Sequence, residues 1–213
     1  MVNVVVFLVM FLSDLGIIDN GFTADIVDRF AMIPQSIIDG ENYYSLFTSM
    51  FLHAGLLHLL GNMLYLYVFG DNVEGVFGHF SYMLFYVVCG LAASLFHILS
   101  IGVADSTLYT VPVVGASGAI SGVLGAYVVL YPKAKILTLV FYGIPIIVPI
   151  PAIIFLGVWF LMQWFFGVFD ILVVGSSGGV AYWAHVGGFI AGLILASIFG
   201  LKRKRDKETH LQL

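Results

Sequence analysis

Of 213 residues, 61% are apolar and only 9% carry charge, which excludes a soluble globular domain: a fold of this size cannot hide that much apolar surface. The formal net charge of −4 says little about partners, and the lone cysteine, Cys89, sits in an apolar stretch, so disulfides play no part. What the composition does predict is an integral membrane protein.

An apolar run of roughly 18 to 20 residues crosses the hydrocarbon core, and six runs qualify as candidates: 2–18, 56–73, 80–101, 115–131, 150–168 and 180–201. The first lacks a basic leader and an A-x-A site, so it reads as an uncleaved span rather than a signal peptide. The connection 19–50 carries apolar patches at Ile33, Ile37, Ile38, Tyr43 and Tyr44, which predicts a partly helical segment in the membrane interface. The glycines of 70–79 (GDNVEGVFGH) fit a tight return. The fourth run, GASGAISGVLGAY, is short and made of small residues, which suits a central packing helix better than a lipid-facing one. The stretch 136–151 is apolar but interrupted by Pro145, Pro149 and Pro151, and is expected at the cytoplasmic interface before the fifth span.

Charge sets the orientation. Seven of the eight Lys and Arg residues follow span 4 (Lys133, Lys135) or span 6 (Lys202, Arg203, Lys204, Arg205, Lys207). Basic residues stay in the cytoplasm, and with six spans both clusters fall on one side, with both termini inside. Asp19, Asp25, Asp28, Asp39, Glu41, Asp105 and Asp170 fall on the other side, offset only by Arg29. The fold class expected is an all-α integral membrane protein of six helices with a short central fourth. It forms one domain over 1–201, followed by a basic cytoplasmic tail over 202–213.

Polar side chains inside spans cost about 2.5 to 3.5 kcal/mol each on insertion scales, so their positions ask for a reason. His53, His58 and Asn62 lie around the start of span 2, Ser117 at the start of span 4, and His185 early in span 6. Spans 2, 4 and 6 all run inward, so these residues share the external end. At 1.5 Å per residue His185 lies roughly 7 to 8 Å deep, with Ser117 slightly shallower. Ala181, His185, Gly188 and Gly192 form one stripe on span 6; Ser117, Ser121 and Gly125 form another on span 4, bordered by Gly118 and Gly122. If those small faces pack, Ser117 meets His185. His58 and Asn62, four apart, project from one face of span 2 towards the same layer.

A nucleophile, a base and a set of donors are the parts of acyl transfer. Every lysine is cytoplasmic, which leaves no Ser–Lys pair, and spans 2 to 6 hold no core aspartates for an aspartyl mechanism. H-E-x-x-H zinc sites are absent, so no metal and no cofactor are expected. Asp14, Asp105 and Asp170 offer no evident third member, which leaves a Ser–His dyad.

At these residues the chain resembles the rhomboid family of intramembrane serine proteases. The matching pieces are LFTSMFLHAGLLHLLGNMLYL (46–66), GDNVEG (70–75), GASGAISG (115–122) and AHVGGFIAG (184–192), in the family's order and across the six-span core. The resemblance implies a nucleophile at Ser117 and a base at His185, with an oxyanion hole from His58, Asn62 and the Ser117 backbone N–H. It implies structural roles for His53, Gly115, Gly118 and Gly188 beside the site, and for Glu74 in the cytoplasmic turn. Two positions depart from the pattern. Tyr44-Ser45 replaces a Trp-Arg pair that braces the external loop, and Ser121 replaces an aromatic that stacks on the catalytic histidine in some members. The histidine must then be oriented otherwise, with Trp183 as the candidate.

The expected activity is cleavage of transmembrane segments of membrane-protein substrates near the outer leaflet, through an acyl-enzyme. The expected partners are those substrates and the lipid bilayer, with no nucleic acid. Minimal length and the missing organelle-targeting extension point to a prokaryotic plasma membrane. Two other classes compete. A non-proteolytic, client-binding relative usually lacks the serine or the histidine, and this chain keeps both. A small transporter would use His53, His58 and His185 as a proton path, but no titratable residue continues that path inward. Taken singly, Ser117 and His185 read more simply as packing and interhelical residues; joint depth, face and order argue for the dyad. His79 and His97 read as structural or interfacial, and the KRKR tail as a topology anchor touching anionic lipid.

Overall fold

A computed structural model describes residues 1–19, 21–101, 106–173 and 179–210. The chain opens with α1 (Val2–Asp14), then three short helices, α2 (Phe22–Phe30), α3 (Pro34–Ile38) and α4 (Ser45–Thr48), the last continued by a 3₁₀ turn. Helix α5 (Leu56–Tyr65) passes through a π-turn into α6 (Asp71–Phe77); α7 (His79–Ile101) returns, and α8 (Ser117–Leu130) follows. Strands β1 (Lys135–Tyr142) and β2 (Ile144–Pro151) pair antiparallel before α9 (Ala152–Leu172). Helix α10 (Tyr182–Leu195) runs through a second π-turn into α11 (Leu201–His210).

Among the described residues three helices are long and apolar enough to cross a membrane: α7, α9 and the continuous α10–α11. A fourth crosses if Ser45–Phe51 and Leu56–Phe77, bent by 95° at the break between them, count as one span. The molecule is therefore a multi-pass membrane protein, mostly helical. Helices α1 and α8 are apolar but have only 13 and 14 residues. A 14-residue helix is about 21 Å long, short of the ~30 Å hydrocarbon core. The first expected run, 2–18, is cut short: the helix ends at Asp14, with Leu15 as cap and Gly16 at φ +70°.

The expectation of an all-α chain is corrected at 135–151, which form a hairpin whose register pairs Lys135 with Pro151 and Tyr142 with Ile144. The three prolines explain why strand replaces helix, since each removes an N–H that a helix interior needs. Pro145, Pro149 and Pro151 are separated by even steps, so they share one edge. A proline keeps its place in a ladder only where its nitrogen points away from the partner strand. The free edge of β2 thus retains, between 145 and 151, only the Ile147 N–H. Leu137, Phe141, Ile144 and Ile147 on the hairpin are all exposed.

The core is built on α8, eleven of whose fourteen residues are buried. Small residues let α10 and α7 approach it at backbone distance. A Cβ at Gly192 would lie 1.8 Å from the Gly122 carbonyl oxygen, and one at Gly188 would lie 2.0 Å from that of Gly118. On the α7 side, a Cβ at Gly122 would lie 2.4 Å from Cys89 Cβ. The two small-residue stripes read from the sequence therefore face each other.

The C-terminal end of α8 is closed by the basic tail. Lys204 Nζ donates to the Leu130 carbonyl at 2.6 Å, Arg203 Nη1 to Phe77 at 2.7 Å, and Lys207 to Gly75. Lys204 also stands 4.3 Å over the Tyr131 ring, and Arg203 5.7 Å over Phe77. Cations here satisfy carbonyls left open at the C-termini of α6 and α8 and complement the negative ends of both helix dipoles. At the N-terminal end of α8 the segment 21–51 is braced without the Trp-Arg pair. Thr48 Oγ1 donates to the Phe30 carbonyl at 2.9 Å, Met32 bridges to Val113, and the Gly115 N–H reaches Ser49 O at 2.9 Å. Asp105 lies outside the described residues.

Candidate active site

Ser117 is the first residue of α8, behind the buried Ala116. The first four N–H groups of a helix have no partner within it and carry the positive end of the dipole, so the Ser117 N–H is free to bind an anion. His185 lies in the first turn of α10. Glycine contacts at Gly118–Gly188 draw the two helix starts together, and His185 Nε2 stands 2.8 Å from Ser117 Oγ. A hydroxyl hydrogen-bonded to an imidazole is the arrangement that nucleophilic catalysis requires.

His58 reaches the same place from the first turn of α5. Gly115 sits against it: φ is +128°, and a Cβ there would lie 2.8 Å from His58 Cε1, 2.9 Å from its Nε2 and 3.6 Å from Ser117 Oγ. Only glycine tolerates both that backbone and that closeness. Asn62 is buried, and its Nδ2 donates to the His58 carbonyl at 2.9 Å, which ties it to the turn carrying the histidine. His53 is 2% exposed and packs edge-to-face on His58, with centroids 5.1 Å apart. Neither of its ring nitrogens has a hydrogen-bond partner among the described residues. Its packing places it directly against His58.

Two cavities meet at Ser117, His58 and His185. One, of about 520 Å³, extends over α7 and α10 and is lined by Ser94, His97 and Tyr182 among others. The other, of about 240 Å³, opens between α5 and α9 and is lined by Leu57, Gly61, Asn62, Tyr65 and Trp159. His97, read from the sequence as structural or interfacial, thus lines the larger cavity, and its Nδ1 has no hydrogen-bond partner among the described residues.

The expectation that Trp183 orients His185 is corrected. Trp183 turns instead to α9 and α7: its Nε1 donates to the Gly167 carbonyl at 3.1 Å, and its ring packs on Trp164 and Phe96. His185 Nδ1 meets Gln163 Oε1 at 2.8 Å, with the Trp159 ring 6.0 Å away. Ser121, at the position of the missing aromatic, donates back to the Ser117 carbonyl at 2.7 Å. Gln163 and Trp159 are the residues that sequence reasoning missed. A signal was present, since Gln163 is the sole amide in an otherwise apolar run from 152 to 169. The described residues contain no group of three or more His, Cys, Asp or Glu side chains arranged to hold a metal ion.

A family model described as the Rhomboid domain matches residues 40–202, a segment that contains every residue named at this site. The chain belongs to the rhomboid family. It is 32% identical over 176 residues to rhomboid protease GluP of Bacillus subtilis, covering 82% of this chain and 29% of that one. To rhomboid protease AarA of Providencia stuartii it is 31% identical over 160 residues, covering 70% and 53%. To the mitochondrial rhomboid protein 1 of Saccharomyces cerevisiae it is 30% identical over 175 residues, covering 79% and 45%. The chain thus spans between about a third and half of the length of these rhomboid relatives.

Proposed function

We propose that this rhomboid is an intramembrane serine endopeptidase that cuts transmembrane segments of membrane-protein substrates near the outer leaflet. The observation that carries the reading is the 2.8 Å contact between His185 Nε2 and Ser117 Oγ, two residues 68 positions apart that meet at the head of a short helix. His185 takes the hydroxyl proton as Oγ attacks the scissile carbonyl. The oxyanion forms beside the Ser117 N–H, His58 and Asn62, where losing one donor costs about 100- to 1000-fold. Collapse breaks the C–N bond, and His185 returns the proton to the leaving amine. Water then attacks the acyl-enzyme, with His185 again as base and Ser117 as leaving group.

Six helical passes fit this reading: α1, α5–α6, α7, α8, α9 and α10–α11, with both termini cytoplasmic. The basic clusters at Lys133–Lys135 and Lys202–Lys207 support that orientation. The apolar hairpin then lies at the cytoplasmic interface, where its proline-stripped edge leaves little to hydrate. The substrate segment approaches sideways through the opening between α5 and α9, and water reaches the acyl-enzyme through the larger outer cavity.

The test is cleavage of a single-span reporter by the purified chain in liposomes, alongside Ser117→Ala and His185→Ala. We expect cleavage near the outer leaflet by the wild type, and a drop on the order of 10⁴-fold or more in both variants. A folded wild type that neither cuts several reporters nor reacts with a fluorophosphonate overturns the reading in favour of a client-binding protein.

A further inference from the structure

We infer that Gln163 is the positioning residue of this site: its side-chain oxygen holds His185 in the one tautomer that can act as base on Ser117. The inference rests on the protease reading above and adds to the dyad a neutral third member, supplied by α9. A neutral imidazole has a single N–H. To accept the Ser117 proton, Nε2 must present its lone pair, so the ring hydrogen must reside on Nδ1. An acceptor facing Nδ1 selects that tautomer, and Gln163 Oε1 faces it at 2.8 Å while Nε2 faces Ser117 Oγ at 2.8 Å. The two contacts lie on opposite sides of the ring and fix its plane as well as its hydrogen.

Other candidates for the task fail on chemistry or reach. Trp159 lies 6.0 Å from the imidazole, and an indole donates but cannot accept. Ser121 is engaged with the Ser117 carbonyl. Asp170, the acidic residue of α9, follows Gln163 by seven positions, roughly 10 Å along the helix axis. An amide also suits the location. It accepts a hydrogen bond as a carboxylate does, without placing a charge inside an apolar helix. The orientation of the amide decides the outcome: with its NH₂ towards Nδ1, the histidine would be held as the opposite tautomer, useless as a base.

The inference separates two effects that a purely structural glutamine would not separate. Gln163→Met keeps the length and volume of the side chain but removes the acceptor. We expect kcat for reporter cleavage, and the rate of fluorophosphonate labelling of Ser117, to fall roughly 10- to 100-fold, the range that an unsatisfied buried donor costs. KM should stay at the wild-type value, and Gln163→Glu, which keeps an acceptor, should restore most of kcat. The ¹⁵N shifts of the His185 ring read the hydrogen directly: Nδ1–H alone in the wild type, a mixture of tautomers in Gln163→Met. A Met variant with wild-type kcat and labelling overturns the inference, as does one that raises KM alone or keeps the Nδ1–H tautomer unmixed. A wild type that is inert to reporters and to the fluorophosphonate overturns the protease reading instead, and the ¹⁵N comparison on that inert chain still decides the role of Gln163.

Discussion

Helices α8 and α9 both bear on the proposed dyad, yet they are held in opposite ways. Eleven of the fourteen residues of α8 are buried, and its glycines touch the backbone of α10. Of the twenty-one residues of α9 only Ala152, Leu156 and Gly167 are buried, while Ile153, Leu161, Phe165 and Leu172 point outward. The difference follows from side-chain size. Backbone-to-backbone packing fixes how closely the helices carrying Ser117 and His185 approach, because the glycines between them have no side chain to repack. Helix α9 contacts the rest through long side chains, Trp159, Gln163 and the partners of Trp183, which can repack. On the proposed mechanism the reacting pair sits on the first kind of interface, and Gln163, the group proposed to orient the base, comes from the second.

The contrast breaks most visibly at Gly192. A Cβ there meets the Gly122 carbonyl at 1.8 Å, so Gly192→Val must drive α8 and α10 apart, at a cost of about 3 kcal/mol or more for overpacking against backbone. Thermal unfolding in detergent should register that loss, whereas Phe165→Ala on the outer face of α9, where Phe165 is 63% exposed, should stay within about 0.5 kcal/mol. Equal losses in the two variants would erase the distinction drawn here.

A smaller effect sharpens the picture at the head of α8. Gly115→Ala places a Cβ 2.8 Å from His58 at a backbone angle of φ +128°. If His58 serves the oxyanion, kcat for reporter cleavage should fall about 100-fold as one donor is displaced, with fluorophosphonate labelling slowed in parallel. Cleavage at the wild-type rate would remove His58 from that role.

The smallest effect belongs to the C-terminal end of α8. Lys204→Met removes a cation from the Leu130 carbonyl and from the face of Tyr131. It should lower stability by about 1 kcal/mol, the scale of one C-terminal cap, while leaving cleavage unchanged. A large loss of activity there would mean that the two ends of α8 are coupled.

Much of this molecule was legible in the sequence because the bilayer imposes a ruler. Span length and helical rise fix depth, and depth brought Ser117, His185, His58 and Asn62 into one layer before any contact was known. Small residues at intervals of four named the faces of α8 and α10 that touch. What the sequence could not give was rotation about each axis where a helix is apolar all round. On α9 nothing in the periodicity distinguishes the side bearing Gln163 and Trp159 from the side bearing Phe165. Trp183 was misassigned for the same reason: its neighbours depend on the angle at which α10 meets α9.

The sequence by itself determined the class of protein and brought Ser117, His185, His58 and Asn62 to one end of their spans, because hydropathy, charge and helical rise act locally along the chain. Only the tertiary structure decided that Gln163 faces His185, that 135–151 pair as strands, and that the tail closes on the carbonyls of Gly75, Phe77 and Leu130. Each of those depends on groups far apart in sequence or on backbone acceptors, which every residue carries alike and which become distinct only when helices are packed.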